Sequence, residues 1–526
     1  MTRFTAMMLA LLMAAMTIVP LAAEAEETLP MNITIDLAAE GKPISPYIYG
    51  INQYGNQNRY MQVKATAVRQ GGNRTTGYNW ENNASNAGAD WKHMSDGNMS
   101  NRDNPGDAVT TLANEAAFYK IPYKLTTLQL AGYVAADKDG VVTEAETAPS
   151  ARWNKVVLTK GAPFSTTPDL TDGVVYMDEY VNFIVSTLGD ATSPKGIQGY
   201  SLDNEPALWA NTHSRIHPQP VTIAELTAKS AEMAKAVKAI DPHAEIFGPS
   251  LYGYTAYDHL ADDDGSQEWE RLKAENGYRW YLDCYLDQMK QASDAAGVRL
   301  LDVLDVHYYS ESARVGAQDR IQSVRTLYEK GFRENSWIGQ WCQDNLPLLP
   351  TIQASIDRYF PGTKLAITEY NYGGEDVSAT IAMTEALGCY ADAGVYLATL
   401  WGGNGYQFAG INLYTDYDRK GAGFGDLLLS ARTDDVSLCS AYAALSSSQA
   451  GKLTVAITNK SEDQPLEAVL HLNGGGAAYQ NIAVYAVYGD SSRVRPLENA
   501  AVIAGDQARV TLPAYCAAMV VLTAEP

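Results

Sequence analysis

The sequence predicts an α/β fold: a (β/α)8 TIM barrel to which a smaller all-β sandwich domain is added. Eight short apolar runs alternate with longer helical segments over residues 42–446, as strands and helices do in βα repeats. After residue 447 the pattern changes to short strands separated by Gly, Asn and Asp turns. The 526 residues also exceed the ~250–300 at which a single core stops growing, so more than one domain is expected.

The eight apolar runs are the predicted barrel strands. Several end in acidic, amide or aromatic side chains, which a parallel barrel gathers at its C-terminal rim, where active sites lie. The fourth run stops at Glu205, because Pro206 cannot donate to a sheet, and the seventh stops at Glu369. In chain order the runs cover residues 44–52, 65–69, 122–130, 196–205, 245–250, 301–309, 364–369 and 395–401.

Helical segments occupy most of the intervals between these runs. In residues 223–240, for example, Leu226, Met233 and Val237 recur at helical spacing. A long polar loop rich in Asn and Trp follows the second strand instead. The predicted helices are residues 107–119, 177–188, 223–240, 268–296 and 376–393.

The sandwich domain is predicted to cover residues 447–526, with strands at 452–459, 466–472, 483–488 and 508–522. One more strand stands apart at the N-terminus, where Ile33, Ile35 and Leu37 alternate with polar residues. A lone strand needs a sheet partner. We therefore expect residues 32–37, within the segment 26–41, to join the sandwich.

The first 25 residues have the pattern of a secretory signal peptide. Arg3 precedes an apolar stretch, Ala6 to Val19, and a small-residue cleavage pattern, Ala23-Glu24-Ala25. The stretch is shorter than the ~20 apolar residues that a membrane span needs, and no later run reaches that length. The sequence therefore predicts a secreted protein without a membrane partner.

The charge and composition restrict the classes of partner. A net charge of −22 argues against nucleic acids and anionic membranes, both of which attract clustered Lys and Arg. Tyrosine is abundant, with 33 residues against 9 phenylalanines, and its flat apolar face with a polar tip suits stacking on sugar rings. A tyrosine-rich core explains the same composition. We expect a monomer.

The five cysteines are scattered, without a CxxC motif or metal-ligand spacing. An odd number leaves at least one thiol free, and buried, inert thiols are the favoured interpretation. His213 and His307 are isolated histidines, which serve as hydrogen-bond partners more often than as metal ligands. We assign no catalytic metal or other required cofactor.

Two carboxylic acids at barrel strand ends are what glycoside hydrolysis requires: one protonates the leaving oxygen, and the other attacks or activates water. A single glutamate at a strand end is as well explained by a salt bridge or a helix cap. The neighbouring residues make a catalytic role more specific for the pair Glu205 and Glu369 than for a single glutamate. Asn204 can offer an amide to a sugar hydroxyl, and Arg69 can keep Glu369 charged.

Aromatic residues complete the predicted site. Tyr308 or Tyr309 can donate to an ionised Glu369, and the sixth strand also brings His307 to the rim. Trp401, at the end of the eighth strand, can form the floor of a pyranose site. Three further tryptophans are candidate sugar platforms, although the third is equally well placed to be buried behind the Glu205 loop: Trp80, Trp91 and Trp209.

Three stretches resemble the signatures of glycoside hydrolase family 44: residues 69–80, which include Arg69, Asn73 and Trp80; residues 200–213; and residues 367–374. The resemblance continues through residues 395–401 and 458–461 and thus spans nearly the whole chain after the signal peptide. Gln70 and Tyr308 depart from the family pattern. Asn-Glu-Pro alone, at residues 204–206, would indicate only the broader clan of barrel glycosidases.

The resemblance implies a barrel with a β-sandwich built from both termini, and a retaining endo-β-1,4-glucanase that also cleaves xyloglucan. It implies that Glu205 is the acid/base and Glu369 the nucleophile. Glu205 should then be the less solvated of the two, since an acid needs a raised pKa. Calcium in a structural role is also implied, but its ligands are not placed by the sequence.

Two alternatives remain open. The preferred polymer can be xylan, mannan or lichenan on the same scaffold, because residues distant from Glu205 decide this. A non-catalytic carbohydrate-binding protein is the alternative from a different class, although such proteins characteristically lose one of the two carboxylates, and both are present here.

Overall fold

The computed structural model describes residues 27–53, 59–261, 267–475 and 479–524. Eight strands close into a barrel in which each strand is parallel to its neighbours and β8 pairs with β1. The predicted barrel is confirmed, with all eight strands at the predicted places. They are β1 Tyr47–Asn52, β2 Ala67–Gln70, β3 Tyr123–Leu128, β4 Gly199–Leu202, β5 Glu245–Leu251, β6 Val303–Tyr308, β7 Lys364–Tyr370 and β8 Leu397–Leu400.

The main barrel helices follow β2 through β8. Four of the five predicted helical segments match observed helices to within one residue, whereas the segment 268–296 is two helices. Helices after β6 and β8 were not predicted; the latter is buried along almost its whole length, so it lacks an amphipathic period. The main helices are Asp107–Tyr119, Met177–Leu188, Ile223–Ile240, Gln267–Asn276, Tyr281–Ala296, Leu348–Tyr359, Val377–Ala393 and Gly405–Thr415.

Shorter helices and two small sheets are found in the connections between the barrel strands. The polar loop predicted after β2 contains the first short helix and two of these sheet strands. The short α-helices are Asn73–Thr76, Trp209–Thr212, Tyr254–His259, Ala317–Ser323 and Trp337–Trp341. One sheet contains Ser85–Asn86, Met94–Asp96 and Gly140–Val141, and the other contains Tyr133–Ala135, Trp153–Val157 and Val174–Tyr176.

Two sheets form the sandwich. The N-terminal strand Leu29–Asp36 pairs in parallel with Leu466–Asn473, so the prediction that this strand joins the sandwich is confirmed. The first sheet has the order Ala431–Thr433, Leu29–Asp36, Leu466–Asn473, Gln507–Leu512, Ala501–Ala504. The second has the order Lys42–Pro43, Leu427–Leu429, Cys439–Leu445, Lys452–Asn459, Cys516–Ala524, Tyr479–Tyr488, Arg495–Pro496.

The sandwich begins earlier than residue 447. Leu427–Leu429 and Cys439–Leu445 already pair within its second sheet, together with Lys42–Pro43. The predicted limits of the barrel, 42 and 446, therefore include residues that belong to the sandwich. Leu427–Leu429 and Cys439–Leu445 follow the helix Gly405–Thr415 in the chain, so in the sequence they continue the pattern of strands after a helix.

A buried ion pair joins the two domains. Glu385, on the helix Val377–Ala393, lies 2.7 Å from Lys460 of the sandwich, and both side chains are fully buried. Tyr328 also donates a hydrogen bond of 2.6 Å to Glu385. The helix that follows β7 is thus held between the barrel and the sandwich.

All five cysteines are free thiols, and four of them are buried. Burial raises the pKa of Cys284 and Cys439 to about 12, which makes these thiols inert. Within the described residues, no helix combines the length and the apolar character that crossing a bilayer requires. The predicted signal peptide, residues 1–25, lies outside the described residues.

Candidate active site

Glu205 lies just beyond the C-terminal end of β4, in a conformation that non-glycine residues rarely adopt. Its φ angle is +45°, and Pro206 begins a single 3₁₀ turn directly after it. The backbone N–H of Glu205 donates to the carbonyl of Ser250, at the end of β5, over 3.0 Å. Such a conformation persists only where its surroundings fix it, and here the neighbouring strand does so.

Glu369 is the penultimate residue of β7 and points into the same space. Arg69, at the end of β2, donates from Nη1 to Glu369 Oε1 over 2.7 Å, and its side chain is fully buried. Tyr309 donates from its hydroxyl to Glu369 Oε2 over 2.8 Å. Tyr308 is buried instead, with its hydroxyl 3.4 Å from Glu334. Of the two tyrosines left open by the sequence, Tyr309 is therefore the donor to Glu369.

His307 lies between the two glutamates. Its Nδ1 is 2.8 Å from Glu205 Oε1 and 3.7 Å from Glu369 Oε2. Its Nε2 lies 3.4 Å from Arg69 Nη2, and since a guanidinium only donates, Nε2 is the acceptor and Nδ1 carries the proton. Burial lowers the pKa of His307 to about 4, which agrees with a neutral ring.

The two carboxylates approach each other closely. Glu205, His307 and Glu369 are the one group among the described residues in which three acidic, histidine or cysteine side chains bring ligand atoms within 4.8 Å of one another. A carboxylate oxygen of Glu205 thus lies no farther than 4.8 Å from one of Glu369. One oxygen of each carboxylate therefore faces the same gap at the rim.

The surroundings of Glu205 favour its protonated form. Burial raises its pKa to about 7, Arg69 lowers it, and the negative charge of Asp90 raises it further. The side chain of Glu205 is nevertheless 17% exposed, against 6% for Glu369. The expectation that Glu205 is the less solvated residue is therefore wrong. Glu369 can be buried more deeply because Arg69 and Tyr309 contact it directly.

Asn204 connects Glu205 to the opposite side of the rim. Its Oδ1 accepts hydrogen bonds from Arg69 Nη2, over 2.7 Å, and from the backbone N–H of Gly72, over 3.2 Å. Because Oδ1 accepts from both of these donors, the NH₂ group of Asn204 points away from Arg69 and Gly72. Among the described residues, Asn204 Nδ2 donates to no protein acceptor, so it remains available to a ligand hydroxyl.

Trp401 lies beside a cavity at the rim. A Cβ atom at Gly72 would lie 2.1 Å from the indole ring, so the glycine allows the ring to approach this closely. The cavity has a volume of about 500 Å³, and its lining includes Trp401, Asn73, Arg74, Asp90 and Thr111. Asn73 is further fixed by His213, whose Nε2 donates to the Asn73 carbonyl over 2.8 Å.

Comparisons with known proteins decide the family. A family model described as glycoside hydrolase family 44 matches residues 84–312. Endoglucanase A of Paenibacillus lautus is 44% identical over 524 residues, which cover 94% of this chain and 73% of that protein. The chain belongs to glycoside hydrolase family 44. It is therefore an enzyme of the glycoside hydrolase class.

Solved structures of family 44 agree over nearly the whole chain. The endoglucanase of Clostridium thermocellum is 46% identical with a TM-score of 0.88, covering 95% of this chain and 100% of that one. A Paenibacillus polymyxa xyloglucanase, solved with xyloglucan, is 43% identical with a TM-score of 0.89, covering 94% and 100%. The family resemblance inferred from the motifs is confirmed.

Two of the predicted platforms of this family 44 enzyme are not at the site. Trp80 is fully buried and stacks on Tyr180 with ring centres 5.4 Å apart, so it presents no face to a sugar, and the platform prediction for it is wrong. Trp209 is also fully buried, as in the alternative that the sequence left open. Trp91 is 57% exposed and follows Asp90 of the cavity lining, so it stays a candidate.

Two exposed tryptophans were not predicted from the sequence. Trp337 and Trp341 are 41% and 79% exposed, on a short helix in the connection that follows β6. Tyr254, from the connection after β5, packs edge-on against Trp337. The spacing of four residues in Trp-Ile-Gly-Gln-Trp was a usable signal, because it places both indoles on one side of a helix turn.

Proposed function

We propose that the protein is a retaining endo-acting hydrolase of β-1,4-linked glucans, including xyloglucan. The observation that carries this proposal is the distance of at most 4.8 Å between carboxylate oxygens of Glu205 and Glu369. Retaining enzymes hold the two carboxyl groups about 5–5.5 Å apart, whereas inverting enzymes need about 6.5–9.5 Å to admit a water. The close spacing favours direct attack on the sugar.

In the first step, Glu205 donates its proton to the glycosidic oxygen while Glu369 attacks the anomeric carbon. A pKa of about 7 keeps Glu205 largely protonated in mildly acidic solution. Arg69 and Tyr309 orient the carboxylate of Glu369 for the attack. The leaving chain departs with the proton from Glu205, and a covalent glycosyl-enzyme ester remains on Glu369.

In the second step, the ionised Glu205 removes a proton from a water molecule, which attacks the same carbon and releases Glu369. His307 donates from Nδ1 to the Glu205 carboxylate in this state. The negative charge that appears on Glu205 is thus met by a hydrogen bond already in place. Two inversions give net retention of the β configuration.

The aromatic residues support binding of an internal segment of a polymer. Trp401 and Trp91 lie towards the side formed by β8 and the connection after β2, whereas Trp337 and Trp341 belong to the connection after β6. Aromatic side chains from separate connections of the barrel, of which Trp91, Trp337 and Trp341 are exposed, suit a polymer chain that extends over several sugar units. We propose this arrangement as the basis of endo-action.

The decisive experiment compares wild type with Glu369→Ala on xyloglucan and carboxymethyl cellulose, with and without azide. We expect internal cleavage by wild type, no cleavage by the variant, and recovery with azide through an α-linked glycosyl azide. Xylan, mannan and lichenan in the same assay rank the polymers. A loss of activity in Glu369→Ala that azide does not restore would contradict the assignment of Glu369 as the nucleophile.

We propose that the family-implied calcium is held around Glu81. This carboxylate is 2% exposed, and its Oε2 has no hydrogen-bond partner among the described residues. Burial, together with Asp172, Glu179 and Asp169, raises the pKa of Glu81 to about 8, although Lys160 opposes this. Hard cations prefer such carboxylate oxygens. A cation bound at Glu81 Oε2 would neutralise this buried group.

Chelation tests this proposal without using activity. We expect EDTA to lower the melting temperature of wild type and calcium to restore it, whereas Glu81→Gln should melt at the same temperature with or without the chelator. If EDTA lowers the melting temperature of both proteins equally, the cation is bound elsewhere. If EDTA changes the melting temperature of neither, the proposal of a bound cation is wrong.

We also propose that the enzyme is exported, cleaved after residue 25, and acts as a monomer on its polysaccharide. The charge of −22 suits a neutral substrate. N-terminal sequencing of secreted protein and its mass by light scattering test these points.

A further inference from the structure

Asp203 is a fully buried carboxylate that accepts four hydrogen bonds. Its Oδ1 accepts from the Thr76 hydroxyl over 2.6 Å and from the backbone N–H of Asn204 over 2.7 Å. Its Oδ2 accepts from the backbone N–H groups of Leu130, over 2.5 Å, and Ala131, over 3.1 Å. Three of the four donors are therefore main-chain groups.

These donors belong to three different parts of the rim. Leu130 and Ala131 follow β3, Thr76 ends the short helix after β2, and Asn204 is the next residue in the chain. Asp203 has a φ angle of +66° and Glu205 one of +45°. Non-glycine residues are strained in this conformation, so the turn between β4 and Glu205 needs fixed contacts to keep its shape.

We propose that Asp203 is the positioning residue of the acid/base, holding the turn that presents Asn204 and Glu205 to the substrate. It fixes the backbone of Asn204, whose side chain then accepts from Arg69 and Gly72. Asp203 does not contact the reacting atoms and acts through Asn204 and Glu205. This inference rests on the role of Glu205 proposed above.

Asp305, within β6, provides a control, because it is equally buried but has different partners. It accepts from the hydroxyls of Ser250 and Thr368, both over 2.6 Å. A hydroxyl can rotate and accept instead of donating, whereas a backbone N–H cannot. Replacing the carboxylate by an amide is thus tolerable at Asp305. At Asp203 it forces an NH₂ group against at least one backbone N–H.

The test compares Asp203→Asn and Asp305→Asn on two substrates. A soluble β-glucan has a poor leaving group and needs acid assistance, whereas 2,4-dinitrophenyl β-cellobioside forms the glycosyl-enzyme without it. For Asp203→Asn we expect kcat/KM on the polymer to fall about 100-fold, in the range that general acid catalysis supplies, and on the aryl glycoside less than about threefold. For Asp305→Asn we expect less than about fivefold on both, since its hydrogen bonds can re-form.

Thr76→Val keeps the test decisive if Asp203→Asn fails to fold, because it removes one donor and leaves three. We expect about a fivefold loss on the polymer, the value of one lost hydrogen bond, and none on the aryl glycoside. Equal losses on both substrates, or no loss on either, would overturn the positioning role. If wild type cleaves neither substrate, the proposed function fails instead, and the two failures are distinguishable.

Discussion

His307 donates a hydrogen bond from Nδ1 to Glu205 Oε1 over 2.8 Å, while its Nε2 accepts from Arg69. The neutral imidazole thereby connects the proposed acid/base to the cation that pairs with Glu369. A donor aimed at a carboxylate favours the ionised form and lowers its pKa. His307 therefore limits how far burial can raise the pKa of Glu205.

We predict that His307→Ala raises the pKa of Glu205 above its value of about 7, because the ionised form loses its donor. The alkaline limb of kcat/KM, which reports the acid form of Glu205, should move to higher pH, while the maximum falls about tenfold, the value of one hydrogen bond to a charged group. His307→Asn is the control, since its NH₂ group can still donate to Glu205. The same shift in both variants, or a shift to lower pH, would contradict this assignment.

Asp90 is predicted to act on Glu205 in the opposite direction. Its negative charge raises the pKa of Glu205, so Asp90→Asn should lower that pKa and move the alkaline limb to lower pH. Asp103→Asn removes a similar charge from a side chain that is 89% exposed and paired with Lys138, and it should leave the limb in place. The effect should weaken in high salt, because screening reduces interactions between partly solvated charges.

The sequence predicted the architecture well because it rests on local patterns. The eight strands are apolar runs that stop at polar residues, and the pairing of Glu205 with Glu369 follows from parallel strands having a common rim. The misassigned residues depend on tertiary packing. Nothing local distinguishes Trp80, which stacks on Tyr180, from Trp401, which approaches Gly72. Similarly, only the folded chain shows that Asp203 meets the N–H groups of Leu130 and Ala131.

Gly72→Ala should displace Trp401 from the rim. Both the φ angle of +95° and a Cβ position 2.1 Å from the indole oppose the substitution. Gly132→Ala is the control, because its φ angle is +107° but no atom lies within 4 Å of its Cβ position. Both variants should lose about 1–3 kcal/mol of stability from the backbone alone. Only Gly72→Ala should also raise KM for the polymer, and equal kinetics in both would exclude steric displacement of Trp401.

Replacement by alanine should affect stability at Trp80 and polymer binding at Trp341. Trp80→Ala should cost about 3–5 kcal/mol of stability, since it empties a core site between Tyr180 and Phe183. Trp341→Ala removes a side chain that is 79% exposed, and its stability should change by no more than about 0.5 kcal/mol. Denaturant unfolding measures both changes in stability. KM for the polymer, measured with folded protein, should rise only for Trp341→Ala.

The ion pair of Glu385 and Lys460 should govern how firmly the sandwich holds the barrel. Lys460→Met would leave Glu385 buried without its cation, at a cost of about 3–5 kcal/mol, whereas the double variant Glu385→Leu/Lys460→Met should recover most of that loss. The exposed pair Arg271 and Glu275, 2.8 Å apart with side chains 57% and 55% exposed, is the control, and breaking it should cost about 0.3–0.5 kcal/mol. Because the helix that carries Glu385 directly follows β7, single variants should also lose activity near their unfolding transition. If Lys460→Met is no more destabilising than the surface control, the ion pair does not hold the two domains together.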